Sequence, residues 1–345
     1  MKKLSFRLTY TLRDIDISHN TSTEFNIGGE HNIHAILTDV VRKDRRTQQS
    51  VRDTVITVYS ARPLTRKAAP VFEAFFEGKR PQEGTKATEP EELIAHDGPC
   101  WGLSYYPNPF VSYVRSVYSE LSSIGTDIAK LLRWRLSLRG PSSPVSSQSL
   151  WCSVDEGATW TPLPNDWHIR LISMSNERLA VDRINTDQIC KMVAAKEQEP
   201  LSHELLREAI ELQNKSPRSS ILIAVSAAEV AVKSVIANKC PQATWLLDEL
   251  QSPPLTKMLV EYFPALLHSH EPLFIPDRKV GLVKSIDDAV AIRNRIVHKG
   301  SSPPNFDKLE EILTAIQQLL WICDYWSGYK WAAEHLEPQV AKPLN

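Results

Sequence analysis

The stretch SPRSSILIAVSAAEVAVKSVIANK, from Ser216 to Lys239, decides how the C-terminal half of the chain folds. Its apolar residues recur at every third or fourth position, which is the period of one face of an α-helix. That face carries Ile221, Val225, Ala228, Val232 and Val235. A seam of this length predicts a long helix that packs against other helices.

Helical patterns continue on both sides of this segment. Upstream, NTDQICKMVAAKEQ offers Asn185 or Thr186 as an N-cap, and LSHELLREAIELQN follows it. Downstream, two further patterns of helical period cover residues 285–299 and 305–335. We therefore expect an all-α domain, a helical bundle, over residues 186–345.

The N-terminal half has the period of β-strands instead. Near its start every second residue is apolar, namely Leu4, Phe6, Leu8, Tyr10 and Leu12. DTVITVYSA is rich in β-branched residues, and one helix is expected over FVSYVRSVYSEL. LRWRLSLRG alternates again, which predicts a strand whose solvated face carries Arg133, Arg135 and Arg139. Residues 1–185 are thus predicted to form a β-rich domain, and the fold class is α+β.

Composition excludes several classes of protein. The 345 residues suit two domains, and 40 basic against 41 acidic side chains leave a net charge of −1, so overall charge does not indicate nucleic-acid binding. The five cysteines are scattered without a CxxC pair, which is typical of a reducing compartment. Neither a signal peptide nor a run of about 18 apolar residues is visible. We expect a cytoplasmic protein with no membrane span.

An eight-residue segment in the first half, SVDEGATW, resembles the Asp-box pattern S-x-D-x-G-x-T-W of sialidases and unrelated β-proteins. In this pattern Asp155 bonds the turn amides, Gly157 permits a positive φ, and Trp160 packs beneath the turn. A sialidase would repeat the box around a propeller, and this chain has one copy. The segment therefore predicts a structural hairpin.

The segment AIRNRIVHKGSSPP, residues 291–304, places an unusual cation on a helix. With Ser285 as N-cap, a helical wheel puts the apolar side chains on one stripe: Ile286, Ala289, Val290, Ile296 and Val297. Arg293 falls near the middle of this stripe, whereas Arg295 points to the opposite side. A guanidinium there is costly unless it is paired or lines a polar cleft. Gly300 suits the helix end.

Two interpretations of this constellation remain open from the residues alone. In the structural one, Arg293 forms an ion pair with Glu229 of the upstream helix, His298 caps the last carbonyls, and Asn294 is a neutral filler. In the functional one, Asn294 and His298 are neighbours because they lie four residues apart. They then form, with Arg293, a site of one cation, one amide and one imidazole.

These residues also carry a family resemblance. Arg293 is directly followed by Asn294, and four residues separate it from His298, which matches the R-x(4–6)-H motif with its favoured asparagine. An upstream helix with an acidic residue, SAAEVAVKSVI, and a long final helix accompany the motif. Over residues 200–335 the chain thus resembles the HEPN superfamily (higher eukaryotes and prokaryotes nucleotide-binding domain). Glu229 and Lys233 of that upstream helix are the candidate supporting residues.

The resemblance implies a metal-independent endoribonuclease of the toxin or antiviral-defence type, with RNA as substrate. Two motifs would converge at a homodimer interface of the helical domain into one composite site. His298 would act on the ribose 2′-OH or the leaving oxygen, Arg293 would hold the scissile phosphate, and Asn294 would orient the phosphate or His298. The alternative is a catalytically inactive HEPN-like domain that serves for binding or dimerisation.

Other features complete the expectations. The pairs His31–His34 and His268–His270 lack the additional ligands of a zinc site, and no glycine-rich phosphate loop is visible, so neither metal nor cofactor is expected.

Five aromatic residues surround the last helix and predict a contact with the other domain or a second subunit: Trp321, Tyr325, Trp326, Tyr329 and Trp331. The resemblance does not cover the β-rich half, for which a sensor or targeting role toward an unknown ligand or partner is expected.

Overall fold

The chain folds as an α+β protein, which confirms the predicted fold class. The computed structural model describes residues 3–12, 15–17, 22–43, 50–79, 102–138, 145–164, 179–181, 185–249, 254–266, 281–338 and 340. Its contacts divide into two compact units, a sheet unit that ends at Gln198 and a helical unit that begins at Glu199.

An antiparallel sheet of six strands forms the frame of the sheet unit, in the order β3-β4-β5-β1-β6-β7. Its strands are β1 (Lys3–Leu12), β3 (Thr23–Gly28), β4 (Ile33–Lys43), β5 (Ser50–Pro63), β6 (Val145–Ser153) and β7 (Thr161–Pro162). Two short strands, β2 (Ile15–Ile17) and β8 (Leu179–Val181), pair in parallel beside it.

The alternation predicted for the first strand is confirmed. In β1 every second side chain is buried, from Leu4 to Leu12. These side chains face two helices, α1 (Ala69–Phe76) and α2 (Asn108–Arg135). Phe6 meets Phe72 of α1 edge to face at 6.3 Å, and the hydroxyl of Tyr10 donates to the carbonyl of Leu121 in α2 at 3.1 Å. One face of the sheet is therefore the core of this unit.

The strand predicted over LRWRLSLRG is wrong, because α2 continues through this segment to Arg135. Trp134 is fully buried and Arg133 is only 1% exposed. Arg135 donates from Nε to Gln188 at 2.8 Å. Leu132 and Trp134 are both buried in a helix covered on several sides, so alternation over four residues could not distinguish helix from strand. The predicted basic strand face does not exist, and Arg139 lies outside the described residues.

The helix predicted after Asn185 is present as α3 (Thr186–Ala194), and the Asn185 side chain caps it by accepting from the amide of Gln188 at 3.1 Å. This helix packs on β3 and α2, so it belongs to the sheet unit. The division between units therefore lies at residues 198 and 199 rather than at 185 and 186. Helical period identifies a helix, but not the unit on which its apolar face packs.

The helical unit contains α4 (Leu201–Leu212), α5 (Pro217–Lys239), α6 (Thr244–Glu249), α7 (Leu255–Lys257), α8 (Phe263–Leu266), α9 (Gly281–Lys299) and α10 (Phe306–Ser327). A π-helical turn, Met258–Tyr262, joins α7 to α8. The central helix is α5, which contacts α4, α9 and α10 and buries all five residues of its predicted seam. By length and composition α5 could cross a membrane, but half of its most apolar part is buried in the unit, as in the core helix of a soluble bundle.

The last helix is shorter than predicted. Asn305 caps α10 by accepting from the amide of Lys308 at 3.0 Å, and Gly328, with a φ of 112°, ends it. A separate 3-10 turn, Lys330–His335, follows. The aromatic residues of α10 pack within the helical unit, where Trp321 lies 4.5 Å from His203 and Trp326 lies 4.8 Å from Phe263. Burial within the unit therefore accounts for Trp321, Tyr325 and Trp326, whereas Tyr329 and Trp331 are half-buried, and the external contact stays a prediction.

Candidate functional site

The helix that carries the candidate residues, α9, begins at Gly281, one turn before the predicted N-cap. Ser285 lies inside the helix and donates from its hydroxyl to Glu311 at 2.6 Å, so its prediction as N-cap is wrong. Ile286 and Ala289 are buried as predicted, whereas Val297 is 55% exposed. The apolar stripe therefore ends before the last turn of α9, and this turn is open to solvent.

Arg293 lies on the side of α9 that faces α5. Its Nη2 atom donates to Oε1 of Glu229 at 2.5 Å, and its Nη1 atom donates to Oδ1 of Asn294 at 3.0 Å. The side chains of Arg293 and Glu229 are 20% and 13% exposed. This contact is the ion pair expected in the structural interpretation. It also sets the direction of the guanidinium, because Glu229 belongs to the central helix, which packs against α4, α9 and α10.

The other candidate residues surround this ion pair at different depths. Asn294 and His298 are both exposed, one turn apart on α9, so their side chains share a side of the helix. Lys233 is half-buried on α5, one turn after Glu229. The structure thus brings Arg293, Asn294 and Glu229 into direct contact, and leaves the imidazole of His298 open to solvent.

The end of α9 is capped by backbone groups. Gly300 has a φ of 61°, and its amide donates to the carbonyl of Ile296 at 3.0 Å. The amide of Ser301 donates to the carbonyl of Arg295 at 3.4 Å. The predicted glycine end of this helix is therefore present. Two of the carbonyls that a capping His298 could serve are already occupied, which weakens the capping explanation for this histidine.

Charge separates along α9. In the first half of α9, Asp288 forms an ion pair with Lys308 of α10 at 2.8 Å, and this lysine lowers the pKa of the Asp288 carboxyl. Lys308 also forms an ion pair with Glu311 of α10 at 2.9 Å. From residue 289 to residue 306 the sequence contains no carboxylate. The last two turns of α9 therefore present cations, an amide and an imidazole to solvent, a combination suited to a phosphate group.

A second cluster of ionisable groups in the helical unit was missed by the sequence reasoning. Nε2 of His203 lies 2.8 Å from Oδ2 of Asp324, and Arg207 forms a close ion pair with Glu199. All four side chains are buried, and burial raises the pKa of Glu199 although Arg207 opposes this. Two polar residues four apart on the inner side of α4, His203 and Arg207, were the available signal. Their partners lie within the unit, which marks the cluster as an internal network.

Metal ligation finds no support among the described residues, in which no three His, Cys, Asp or Glu side chains are grouped to hold an ion. His34 stacks on the ring of Tyr59 with centroids 4.8 Å apart. His268 and His270 lie outside the described residues.

Comparison with known proteins adds no relative. No family model, no curated protein and no solved structure matches the chain. The resemblance to the HEPN superfamily therefore rests on the motif and on the arrangement of helices predicted around it.

Proposed function

We propose that the protein is a metal-independent endoribonuclease that acts in the cytoplasm as a homodimer through its helical unit. The observation that carries this proposal is the combination on α9 of a guanidinium held in place by Glu229 with an exposed Asn294 and an exposed His298. A purely structural arginine needs Glu229 alone. The neighbouring amide and imidazole, on a segment without carboxylates, provide the groups that phosphate-ester cleavage requires.

In the proposed reaction the ribose 2′-oxygen attacks the adjacent phosphorus and the bond to the 5′-oxygen breaks, leaving a 2′,3′-cyclic phosphate. One His298 accepts the proton of the 2′-OH, and a second His298 donates a proton to the leaving 5′-oxygen. Histidine suits both roles because its ordinary pKa lies near neutral pH. Arg293 stabilises the charge that develops on the phosphate oxygens, and Asn294 orients the phosphate or His298.

The need for two histidines motivates the dimer. A single α9 supplies one imidazole, whereas a two-fold axis beside the exposed last turn supplies two, one as base and one as acid. The exposed Val297, between Asn294 and His298 in sequence, is an apolar contact for such an interface. Sedimentation at micromolar concentration tests this part, because a monomer there contradicts a stable dimer. Partial recovery of cleavage on mixing His298→Ala with Arg293→Ala protein supports a composite site.

A second function is favoured by one specific observation. The ion pair between Arg293 and Glu229 already gives the arginine an internal partner, as a catalytically inactive HEPN-like module for binding or dimerisation requires. In that case Arg293 ties α9 to α5, and Asn294 and His298 are surface residues. In either case the sheet unit provides sensing or targeting.

Incubation of the purified protein with end-labelled RNA in excess chelator distinguishes the two functions. We expect cleavage by the wild type to fall by about 10²–10⁴-fold in His298→Ala, which is the usual contribution of a general acid or base. Arg295→Ala is the matched control, since it removes an exposed cation of the same helix. Equal cleavage by wild type and His298→Ala, or no cleavage by either, would contradict the enzyme and leave the inactive module.

A further inference from the structure

The sheet unit carries a row of rings on the face opposite its core. In the strand register, His34 of β4 lies opposite Tyr59 of β5, Tyr59 lies opposite Arg7 of β1, and Arg7 lies opposite Trp151 of β6. Neighbours of Arg7 in β1, such as Phe6, point into the core, so Arg7 and its row point to the other face. All four side chains are half-buried.

These side chains touch one another. The guanidinium carbon of Arg7 lies 5.1 Å from the ring centre of Trp151 and 4.5 Å from that of Trp160. Tyr59 meets Trp160 edge to face at 6.0 Å, and His34 stacks on Tyr59 with 7° between the rings. We call these five residues the ring row. It is continuous across four adjacent strands and includes one cation.

The Asp-box turn holds one member of the ring row in place. The amide of Gly157 donates to the hydroxyl of Ser153 at 2.8 Å, and the amide of Thr159 donates to Oδ1 of Asp155 at 2.9 Å. These bonds fix the turn that ends at Trp160. The single Asp box, predicted to be a structural hairpin, therefore has a defined role in placing an indole over Arg7.

Arg7 has no carboxylate partner among the described residues. Its Nε atom is buried without a hydrogen bond, and its guanidinium carbon lies against the two indole rings. Both indole rings lie against the guanidinium, and its terminal N–H groups remain for a ligand. A guanidinium edge binds phosphate in a bidentate manner.

Charge around Arg7 favours an anionic ligand. Across β4, β5, β1 and β6, the strand positions in register with Ser5, Arg7 and Thr9 on this face hold no carboxylate, only hydroxyl, aromatic or aliphatic side chains. The nearest acid in register is Glu24, one strand further out on β3. The carboxylate of Asp155 lies at one side of this face, where the hydroxyl of Ser153 donates to it at 2.6 Å. At Arg7 itself, an acidic ligand would meet one guanidinium and neighbouring hydroxyl side chains.

The length of the ring row favours a polymer over a single nucleotide. Four strands at about 4.8 Å spacing give a row of about 14 Å. Sheet-borne aromatic side chains in RNA-binding domains stack two or three bases on a surface of this kind. Stacking on rings is tolerant of sequence but requires unpaired bases, so the fit is to a single strand.

We propose that the ring row binds single-stranded RNA, with a phosphate on the edge of Arg7 and bases against the terminal rings, His34 and Trp151. This inference deepens the proposed function, and it rests on that function for the choice of RNA over DNA. The sheet unit would then hold the substrate that the helical unit cleaves.

Photocrosslinking on the unaltered chain tests the location. Full-length protein in excess chelator is mixed with a ten-nucleotide RNA containing 4-thiouridine, irradiated, and digested for peptide mass spectrometry. We expect adducts on peptides of β4, β5 and β6 that contain His34, Tyr59 or Trp151. Adducts confined to the helical unit, or no adducts, would overturn the proposal.

Fluorescence anisotropy with the same RNA tests the individual residues. We expect Trp151→Leu to weaken binding between about fivefold and about a hundredfold, the range for loss of one stacking ring. Arg7→Gln should lower the slope of log affinity against log salt by about one. If these two variants lower the midpoint of thermal unfolding, His34→Ala, at the end of the ring row, replaces them as the test of stacking. Trp245→Leu is the matched control, because Trp245 is a 69% exposed tryptophan of the helical unit.

Competition identifies the ligand class. Excess unlabelled single-stranded RNA should displace the probe, whereas duplex RNA should not, because its bases are not available for stacking. Displacement by polyglutamate as effective as by RNA would mean a general anion surface and would overturn the proposal. Equal displacement by single-stranded DNA would overturn the choice of RNA. All binding is measured on His298→Ala protein too, which should bind RNA like the wild type. Binding at the ring row without cleavage by the wild type contradicts only the proposed nuclease, and cleavage without binding at the ring row contradicts only the ring row.

Discussion

The ion pair between Arg293 and Glu229 gives a prediction that bears on both proposed functions. A double-mutant cycle of Arg293→Ala, Glu229→Ala and both together measures the free energy that couples these side chains. We expect each single substitution to destabilise the helical unit, because each leaves a poorly hydrated charge without its partner. The double variant should be little worse than either single one.

The expected magnitude follows from the depth of the pair. Removing one member of a fully buried pair costs about 3–5 kcal/mol, and exposed pairs couple by about 0.2–1 kcal/mol. At 20% and 13% exposure, with Nη2 and Oε1 2.5 Å apart, Arg293 and Glu229 lie between these limits. We therefore expect a coupling free energy of about 1–3 kcal/mol, within the range for residues of one network.

Urea denaturation, followed by the fluorescence of the buried Trp321 and Trp326, measures the stability of the helical unit. The control pair is Glu211 and Lys215 on α4, whose charges lie 3.9 Å apart on side chains 40% and 62% exposed. Its coupling should be about 0.5 kcal/mol or less. A coupling for Arg293 and Glu229 no larger than that of the control pair would refute our assignment of this contact as a fixed anchor.

Two further predictions concern the sheet unit. Gly125→Ala should lower the stability of this unit by about 1–2 kcal/mol despite the helix propensity of alanine, because the new Cβ would lie 2.9 Å from Cζ of the buried Tyr10. Thermal unfolding measures this loss. The control is Gly102→Ala, whose Cβ would have its nearest neighbour at 3.6 Å and which should unfold like the wild type. Hydrogen bonds from the Asp-box turn lower the pKa of Asp155 to about 2, so its stabilisation of the turn is complete above about pH 4 and is lost as the pH falls through 2. Carboxyl NMR titration should show this pKa, and an unchanged value in Thr159→Val would contradict the role of that side chain.

Periodicity predicted the elements that bury one clear face. The alternation in β1 and the seam of α5 were both visible in the sequence, because each element covers a single core on one side. Asn185, Asn305 and Gly300 were readable as helix ends, since capping depends on neighbours within a few residues. These signals are local in the chain.

The errors arose where burial on several sides removed the period or where the partner was distant. Trp134 and Arg133 are buried on different sides of α2, so their segment imitated a strand. Val297 carries the period of α9 beyond the end of its packing partners. The ring row was not visible at all, because strand register brings Arg7 beside Trp151 across more than a hundred residues.

The pair of Arg293 and Glu229 shows an intermediate case. Helical period indicated that Arg293 needed a partner, and the acidic residue of the central helix was the available candidate. The distance between α5 and α9 depends on all side chains between them, so the contact itself required the structure. The same packing determines that His298 lies beyond the packed part of α9, and a helical wheel of the sequence does not contain this information.

The position of β1 in the sheet sets the order in which the sheet unit can close during synthesis. This strand leaves the ribosome before both of its neighbours, β5 and β6, and β6 ends at Ser153. At about 5–20 residues per second, β1 waits roughly 7–30 seconds with at least one open edge and an apolar face. A chain truncated before β6 retains that edge permanently and should aggregate through it. We therefore expect the apolar face of β1 to stay exposed in the nascent sheet unit until residue 153 has emerged.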